Sequence, residues 1–152
     1  MTFPLEQLIL NAEGRYFKPE EIQQIQEFLA AWPERTQAYR LIRDQEEVLV
    51  QETLTLLKGE VITLNGRTVE LCEQDLRLVL RHCSLAMLLE DSELVKERLI
   101  EWLEEQARLY DLSSTYEKAL RLLQNTLKKH LPSNVVDGLR PYLTQLQVAL
   151  IF

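Results

Sequence analysis

Residues 72–91, CEQDLRLVLRHCSLAMLLED, predict a helix around which the rest of the chain is arranged. At about 100° per residue, apolar side chains occupy two faces of this helix and leave only a narrow polar arc. One face carries Cys72, Leu76, Val79, Cys83, Ala86 and Met87, and the other carries Leu78, Leu85 and Leu89. A helix that is apolar over most of its circumference is expected to have neighbours on two sides. Any binding chemistry is expected on this helix, where Asp75 follows Cys72 by one turn.

The composition is typical of one folded domain. The 152 residues are 46% hydrophobic and 27% charged, with a net charge of −7, which predicts a substantial core and no nucleic-acid binding. The chain has no apolar stretch of the roughly 20 residues that span a bilayer and no signal-peptide pattern, so we do not expect an integral membrane protein. Cys72 and Cys83 lie about 16 Å apart on one helix, too far for a disulfide, which favours a reducing compartment.

The N-terminal residues 1–31 predict a thin helical hairpin. Apolar residues at helical spacing indicate a first helix that ends near Gly14 and a second that begins at Pro19. Two such helices cannot bury both of their faces against each other. We therefore expect the hairpin to lie on the rest of the chain or on a partner.

Three later segments carry proline or turn signals. A new helix is expected to open at Pro33, with a break or bend near residues 43–44. Residues 61–71, VITLNGRTVEL, fit a β-hairpin around Asn65-Gly66 and an irregular loop equally well. Towards the C-terminus, Ser114 with Glu117 matches a capping box, and Pro141 is expected to kink or restart the last helix.

The sequence offers no catalytic, metal or haem site. Its two histidines, His82 and His130, have no second ligand at metal spacing. Residues 92–110 contain no histidine, methionine or cysteine that would serve as an axial haem ligand. Because a phosphate-binding loop and a nucleophile elbow are also missing, we do not expect an enzyme.

Three motifs, in order along the chain, resemble the phycobiliproteins, and allophycocyanin subunits most of all. Residues 12–16 and 19–22, AEGRY and PEEI, resemble the family's AEARY…SPxEL hairpin. The pattern from Cys72-x-x-Asp75 to Ala86-Met87 and Asp91 is similar to its CxRDxxYYLRYxTYAMLAGD helix, and residues 94–112 are similar to its ERxLxGLxExYxxLG stretch. The resemblance implies an all-α, globin-like protein of cyanobacterial type. It also implies a single domain over residues 1–152, with the hairpin at 1–31 and globin-like helices at 32–152.

The resemblance also implies a pigment site. Cys72 falls on the cysteine that holds a linear tetrapyrrole (a bilin) of phycocyanobilin type through a thioether. Asp75 falls on the aspartate whose carboxylate accepts hydrogen bonds from the inner pyrrole nitrogens. Arg67 is a candidate to bind a bilin propionate in place of the family's arginine. Arg81 matches the arginine of the family's LRY segment. These four residues predict covalent bilin binding for light harvesting or energy transfer.

Two departures from the family pattern favour an alternative. The arginine that clamps a bilin propionate is Gln74 here, and the paired tyrosines are Leu78 and Val79. They favour a pigment-free interaction module that acts in the assembly, regulation or breakdown of phycobilisomes or photosynthetic complexes. The sequence leaves both hypotheses open, and a third, transient handling of free bilin without a covalent bond, lies between them.

The family's hairpin packs against a partner subunit, which makes Arg15 and Tyr16 candidate interface residues. The expected assembly is a homodimer or a heterodimer, with other phycobilisome or photosynthetic proteins as further partners. The expected location is the cytoplasm, at the periphery of thylakoid membranes through those protein partners.

Overall fold

The computed structural model describes residues 4–61 and 64–150, which are helical almost throughout and contain no strand. The helices are α1 (Pro4–Asn11), α2 (Pro19–Glu60), α3 (Gly66–Leu89), α4 (Glu93–Val95), α5 (Glu101–Tyr110), α6 (Ser113–His130) and α7 (Ser133–Ala149), with a π-helical turn at Lys96–Ile100 between α4 and α5. Helix α3 contacts α2, α6 and α7. The predictions of an all-α fold and of a central helix over residues 72–91 are therefore confirmed.

One contiguous core joins the helices around α3. Its innermost side chains, which are almost fully buried, come from every helix after the hairpin: Leu49 and Leu57 of α2, Leu80 of α3, Leu103 of α5, Leu123 and Leu127 of α6, and Leu139 and Leu146 of α7. Burial of leucine side chains at this depth contributes about 1.5–3 kcal/mol each before the entropy cost of ordering them. None of the helices in the described ranges is long and apolar enough to cross a membrane.

Helix α2 runs without a break for 42 residues, so the predicted helix start at Pro33 and the predicted break near residues 43–44 are wrong. Proline inside a helix removes the hydrogen bond to the carbonyl four residues earlier. That carbonyl belongs to Leu29, which is exposed, so water can satisfy it. Burial of Ile42 and Leu49 holds the following turns in place. The predicted boundary between residues 31 and 32 consequently falls inside α2.

Residues 61–71 do not form a β-hairpin, because α3 begins at Gly66. The side-chain oxygen of Asn65 accepts a hydrogen bond from the backbone N–H of Thr68 at 2.9 Å, which is the geometry of a helix N-cap. The alternative of an irregular loop fits Val61, Leu64 and Asn65, and residues 62–63 of that segment lie outside the described ranges. Asparagine followed by glycine is common both in hairpin turns and at helix starts, which explains the wrong prediction.

Replacement of Asn65 by alanine is expected to lower the free energy of unfolding by about 1 kcal/mol, because the N–H of Thr68 loses its acceptor. Asn65→Asp keeps an acceptor in the same position and serves as the control, with stability close to that of the wild type. Urea unfolding followed by circular dichroism measures both variants. Equal stability of Asn65→Ala and wild type would contradict the assigned cap.

One further turn signal differs from its prediction, and a second differs in one of its two alternatives, the restart at Pro141. Helix α6 begins at Ser113 with Leu112 in the capping position and without a side-chain cap, so the capping box of Ser114 and Glu117 is wrong. Helix α7 does not restart at Pro141 and continues to Ala149. Before α4, the carboxylate of Asp91 accepts a hydrogen bond from the backbone N–H of Glu93 at 3.1 Å.

The N-terminal hairpin, here α1 with the first turns of α2, stands apart from the main core. Leu8, Ala12 and Phe28 are buried but do not belong to the contiguous core cluster. The hairpin exposes large apolar side chains, namely Ile9, Leu10, Tyr16, Ile22 and Leu29. Of the two expectations for the hairpin, packing on the rest of the chain leaves these side chains uncovered, and packing on a partner stays a prediction.

Candidate functional site

The site is centred on Cys72 and Asp75, one turn apart on α3. Both residues are buried, with 1% of Cys72 and 6% of Asp75 exposed. They line a cavity bounded by α3, α5, α6 and the end of α7, which has a volume of about 20 Å³. The other lining side chains are apolar except Tyr116. A buried carboxylate in such surroundings needs hydrogen-bond donors from the protein.

Both oxygens of Asp75 have such donors. The indole Nε1–H of Trp102 donates to Oδ1 at 3.2 Å, and the hydroxyl of Tyr116 donates to Oδ2 in a short hydrogen bond. Burial raises the pKa of Asp75 above its ordinary value, while the hydrogen bonds from Tyr116 and Trp102 act in the opposite direction. The carboxylate is thus tied to α5 and α6 by one donor each.

Local structure explains how the two donors reach Asp75. The π-helical turn Lys96–Ile100 precedes α5, and such a turn inserts an extra residue and changes the direction of the side chains that follow. Trp102 lies in the first turn of α5 and Tyr116 in the first turns of α6. In the sequence both residues fall at helical spacing among apolar side chains, which by itself indicates only packing. Each side chain carries one polar atom, and a buried tyrosine or tryptophan usually has a hydrogen-bond partner for it. With Asp75 on an apolar helix, this was the signal in the sequence for a contact with the carboxylate.

Neither of the two cysteines has the low thiol pKa of a reactive nucleophile. Burial raises the pKa of the Cys72 thiol to about 11, with a smaller contribution from the charge of Asp75, and burial raises that of Cys83 to about 12. A thiol with such a pKa is protonated at neutral pH and is a weak nucleophile. Cys83 is fully buried, which confirms its prediction as a core residue.

Neither of the two predicted arginines lines the cavity of Cys72 and Asp75. Arg67 is exposed near the start of α3, with its guanidinium carbon 5.9 Å from the centre of the Tyr110 ring on α5. Arg81 comes nine residues after Cys72, which places it on the opposite face of α3. There it forms a two-pronged ion pair with Glu46 of α2, at 2.7 and 2.9 Å.

The predicted interface residues Arg15 and Tyr16 lie at the hairpin turn. They differ in their contacts and in their exposure to solvent. Arg15 donates to both carboxylate oxygens of Glu21, at 2.7 and 3.1 Å, and to the backbone carbonyl of Asn11. The Arg15 guanidinium, together with the backbone N–H of Lys18, lowers the pKa of Glu21 to about 2. Tyr16 is 97% exposed. Arg15 therefore fixes the shape of the turn that presents Tyr16.

Comparison with known families matches the sequence to one of them. The family model described as "Phycobilisome protein" matches residues 8–150, which is nearly the whole chain. The chain belongs to the phycobilisome protein family. Comparison with curated proteins finds no match. The resemblance of the three motifs and the globin-like fold implied by it are confirmed by the family match.

Membership of the phycobilisome family assigns the chain a phycobiliprotein-like role. Proteins of this family are structural and light-harvesting pigment proteins, so the prediction of a non-enzymatic protein is confirmed. They generally carry bilins and assemble into oligomers with other phycobilisome proteins. Among the described residues, no group of histidine, cysteine and acidic side chains could hold a metal ion.

The residues around Cys72 do not fit a bilin in this structure. A cavity of about 20 Å³ has room for about one water molecule, whereas a linear tetrapyrrole has four rings. Both oxygens of Asp75 already accept hydrogen bonds from the protein. The site of this phycobilisome-family chain is therefore closed by its own side chains.

Proposed function

We propose that this phycobilisome-family chain is a pigment-free interaction subunit that acts in the assembly, regulation or breakdown of phycobilisomes or photosynthetic complexes. The observation that carries the proposal is the state of Asp75, whose carboxylate is satisfied by Trp102 and Tyr116. In the family that this chain resembles, the matching aspartate binds the pyrrole nitrogens of the pigment. The subunit would act in the cytoplasm and reach thylakoid membranes only through protein partners.

The hairpin is the surface through which we propose that the subunit binds another phycobilisome-family chain, either a second copy or a different subunit. Tyr16, Ile22 and Leu29 are exposed there, and clustered exposed apolar side chains are typical of protein interfaces. The ion pair of Arg15 with Glu21 supports this role indirectly because it holds the turn in one shape. Pre-ordered turns lose less entropy on binding.

Two substitutions are expected to weaken this association at least about tenfold. Tyr16→Ala removes apolar area from the interface, and Leu29→Glu adds a buried charge to it. Analytical ultracentrifugation of the chain alone, and mixed with isolated allophycocyanin α or β subunits, measures the association. Val48→Glu is the matched control, since Val48 is an equally exposed apolar residue of α2 beyond the hairpin. A chain that stays monomeric in every mixture, or variants that associate as the wild type does, would overturn the hairpin interface.

A second candidate function is covalent bilin binding at Cys72 for light harvesting or energy transfer. It is favoured by one observation, that Cys72 and Asp75 line the same cavity. Arg67, near the start of α3, lies over the ring of Tyr110, where it would meet a propionate of a pigment that had displaced the aromatic side chains. Arg81 belongs to this candidate only through the resemblance, since its partner is Glu46.

Co-expression with a phycocyanobilin pathway and a set of bilin lyases distinguishes the two functions. The purified chain is run on a denaturing gel with zinc, beside Cys72→Ala and an allophycocyanin subunit as the positive control. We expect a colourless wild type beside a fluorescent control. Fluorescence of the wild type that is lost in Cys72→Ala would establish the bilin and reject the pigment-free function.

A further inference from the structure

We propose that Trp102 and Tyr116 form an internal plug, meaning that these two side chains together keep large ligands away from Cys72 and Asp75. The inference rests on the proposed pigment-free function and names the residues responsible for it. Tyr116 and Trp102 come from different helices, and each uses one oxygen of Asp75. No oxygen of the carboxylate is left without a protein donor.

Trp102 is the outer half of the plug. Its side chain is 46% exposed, yet its Nε1–H reaches the buried Oδ1 of Asp75 at 3.2 Å. The indole ring therefore extends from the protein surface to the carboxylate. Removal of this ring is expected to open a path from solvent to the cavity that Cys72 lines.

Tyr116 is the inner half of the plug. It is 5% exposed and lines the same cavity as Cys72 and Asp75. Its hydroxyl bonds Oδ2 of Asp75, so the start of α6 is tied to the middle of α3. The ring fills the space beside the thiol, and the hydroxyl fixes the ring against the carboxylate. Local opening of the site must break this hydrogen bond as well as the one from Trp102.

The first test measures access to Cys72 by its rate of reaction with a maleimide. We expect Trp102→Ala to react about tenfold faster than the wild type or more, since the local opening that exposes the thiol becomes easier. Tyr116→Phe is expected to change the rate in the same direction, because it frees one oxygen of Asp75. Labelling must disappear in Cys72→Ser, which separates Cys72 from the buried Cys83.

Trp32→Ala is the matched control for Trp102→Ala. Trp32 lies on α2 with its ring 6.2 Å from that of Phe28, in the hairpin region and away from Asp75. It is the other tryptophan of the chain. If Trp102→Ala loses helical content by circular dichroism, Trp102→Phe takes its place, because it keeps an aromatic ring and removes the N–H donor. Rates of the Trp102 and Tyr116 variants that equal the wild-type rate would overturn the plug.

The second test repeats the bilin co-expression with Trp102→Ala beside the wild type. Labelling of Trp102→Ala at Cys72, with an unlabelled wild type, supports the plug and the pigment-free function together. A labelled wild type overturns the pigment-free function and, with it, the plug. Unchanged maleimide rates with an unlabelled wild type overturn the plug alone and leave the pigment-free function standing.

Discussion

Replacement of Tyr116 by phenylalanine is expected to lower the free energy of unfolding by about 1–3 kcal/mol. The substitution removes one oxygen atom and leaves the ring in the core. The oxygen of Asp75 that accepts its hydrogen bond then stays buried without a partner. A buried carboxylate that loses a donor is more costly than a neutral group in the same position because its desolvation is no longer offset.

The effect of Tyr116→Phe is expected to depend on pH. Burial holds the pKa of Asp75 above its ordinary value, so the contribution of Asp75 to stability is greatest below its unfolded pKa and is lost as the pH rises through the folded pKa. Loss of the Tyr116 hydroxyl raises the folded pKa further. The stability difference between variant and wild type is therefore small in acid, where Asp75 is protonated in both, and grows towards neutral pH.

Urea unfolding of both proteins at mildly acidic and at neutral pH measures this difference. Tyr142→Phe is the control, since Tyr142 is a partly buried tyrosine at the cleft between α3 and α7, away from Asp75. A double-mutant cycle of Tyr116→Phe with Asp75→Asn isolates the pair. Zero coupling energy in that cycle would mean that the hydroxyl does not hold the carboxylate.

Replacement of Arg35 by alanine is expected to cost about 1.5–3 kcal/mol, which is the range for hydrogen bonds to charged groups. Arg35 lies on α2, and its guanidinium donates to the backbone carbonyl of Leu88 at 3.3 Å at the end of α3. It also pairs with Glu90 at 3.0 Å and lies 4.5 Å from the centre of the Phe28 ring. Only 13% of its side chain is exposed, so solvent screens these contacts weakly.

Arg43→Ala is the matched control for Arg35→Ala. Arg43 belongs to the same helix and pairs with its neighbour Asp44, but 61% of its side chain is exposed. An exposed pair of this kind contributes at most about 1 kcal/mol. Chemical unfolding of both variants compares them, and a cost for Arg35→Ala no larger than that for Arg43→Ala would show that the contact with α3 is weak.

The features that the sequence predicts well are those set by local periodicity. The two apolar faces of α3 follow from spacing alone, and they correctly predict a helix with neighbours on two sides. The burial of Cys72 and Cys83 follows from the same pattern. Family motifs supply what periodicity cannot, namely the globin-like arrangement of the helices.

The features that the sequence does not predict depend on contacts between distant residues or on competing local signals. Trp102 and Tyr116 meet Asp75 across 27 and 41 positions of the chain, and one sequence gives no means of pairing them. Asn65 fits two kinds of structure, and the choice is made by the burial of the helix that follows. Pro33 lies inside a helix whose later turns are held by buried side chains such as Ile42 and Leu49, and that burial is not visible in the local sequence.

Helix α2 has a mechanical consequence. Its 42 residues extend over about 63 Å at 1.5 Å per residue. The C-terminal part of the helix is packed in the core, and the N-terminal part belongs to the hairpin. A partner bound to Tyr16 or Leu29 would exert force on the N-terminal end of α2, far from the part that is packed in the core. Pro33 lacks one backbone hydrogen bond of the helix, so the helix is expected to bend there most easily. Force applied at the hairpin would bend the helix there before it reached Leu49 and Leu57.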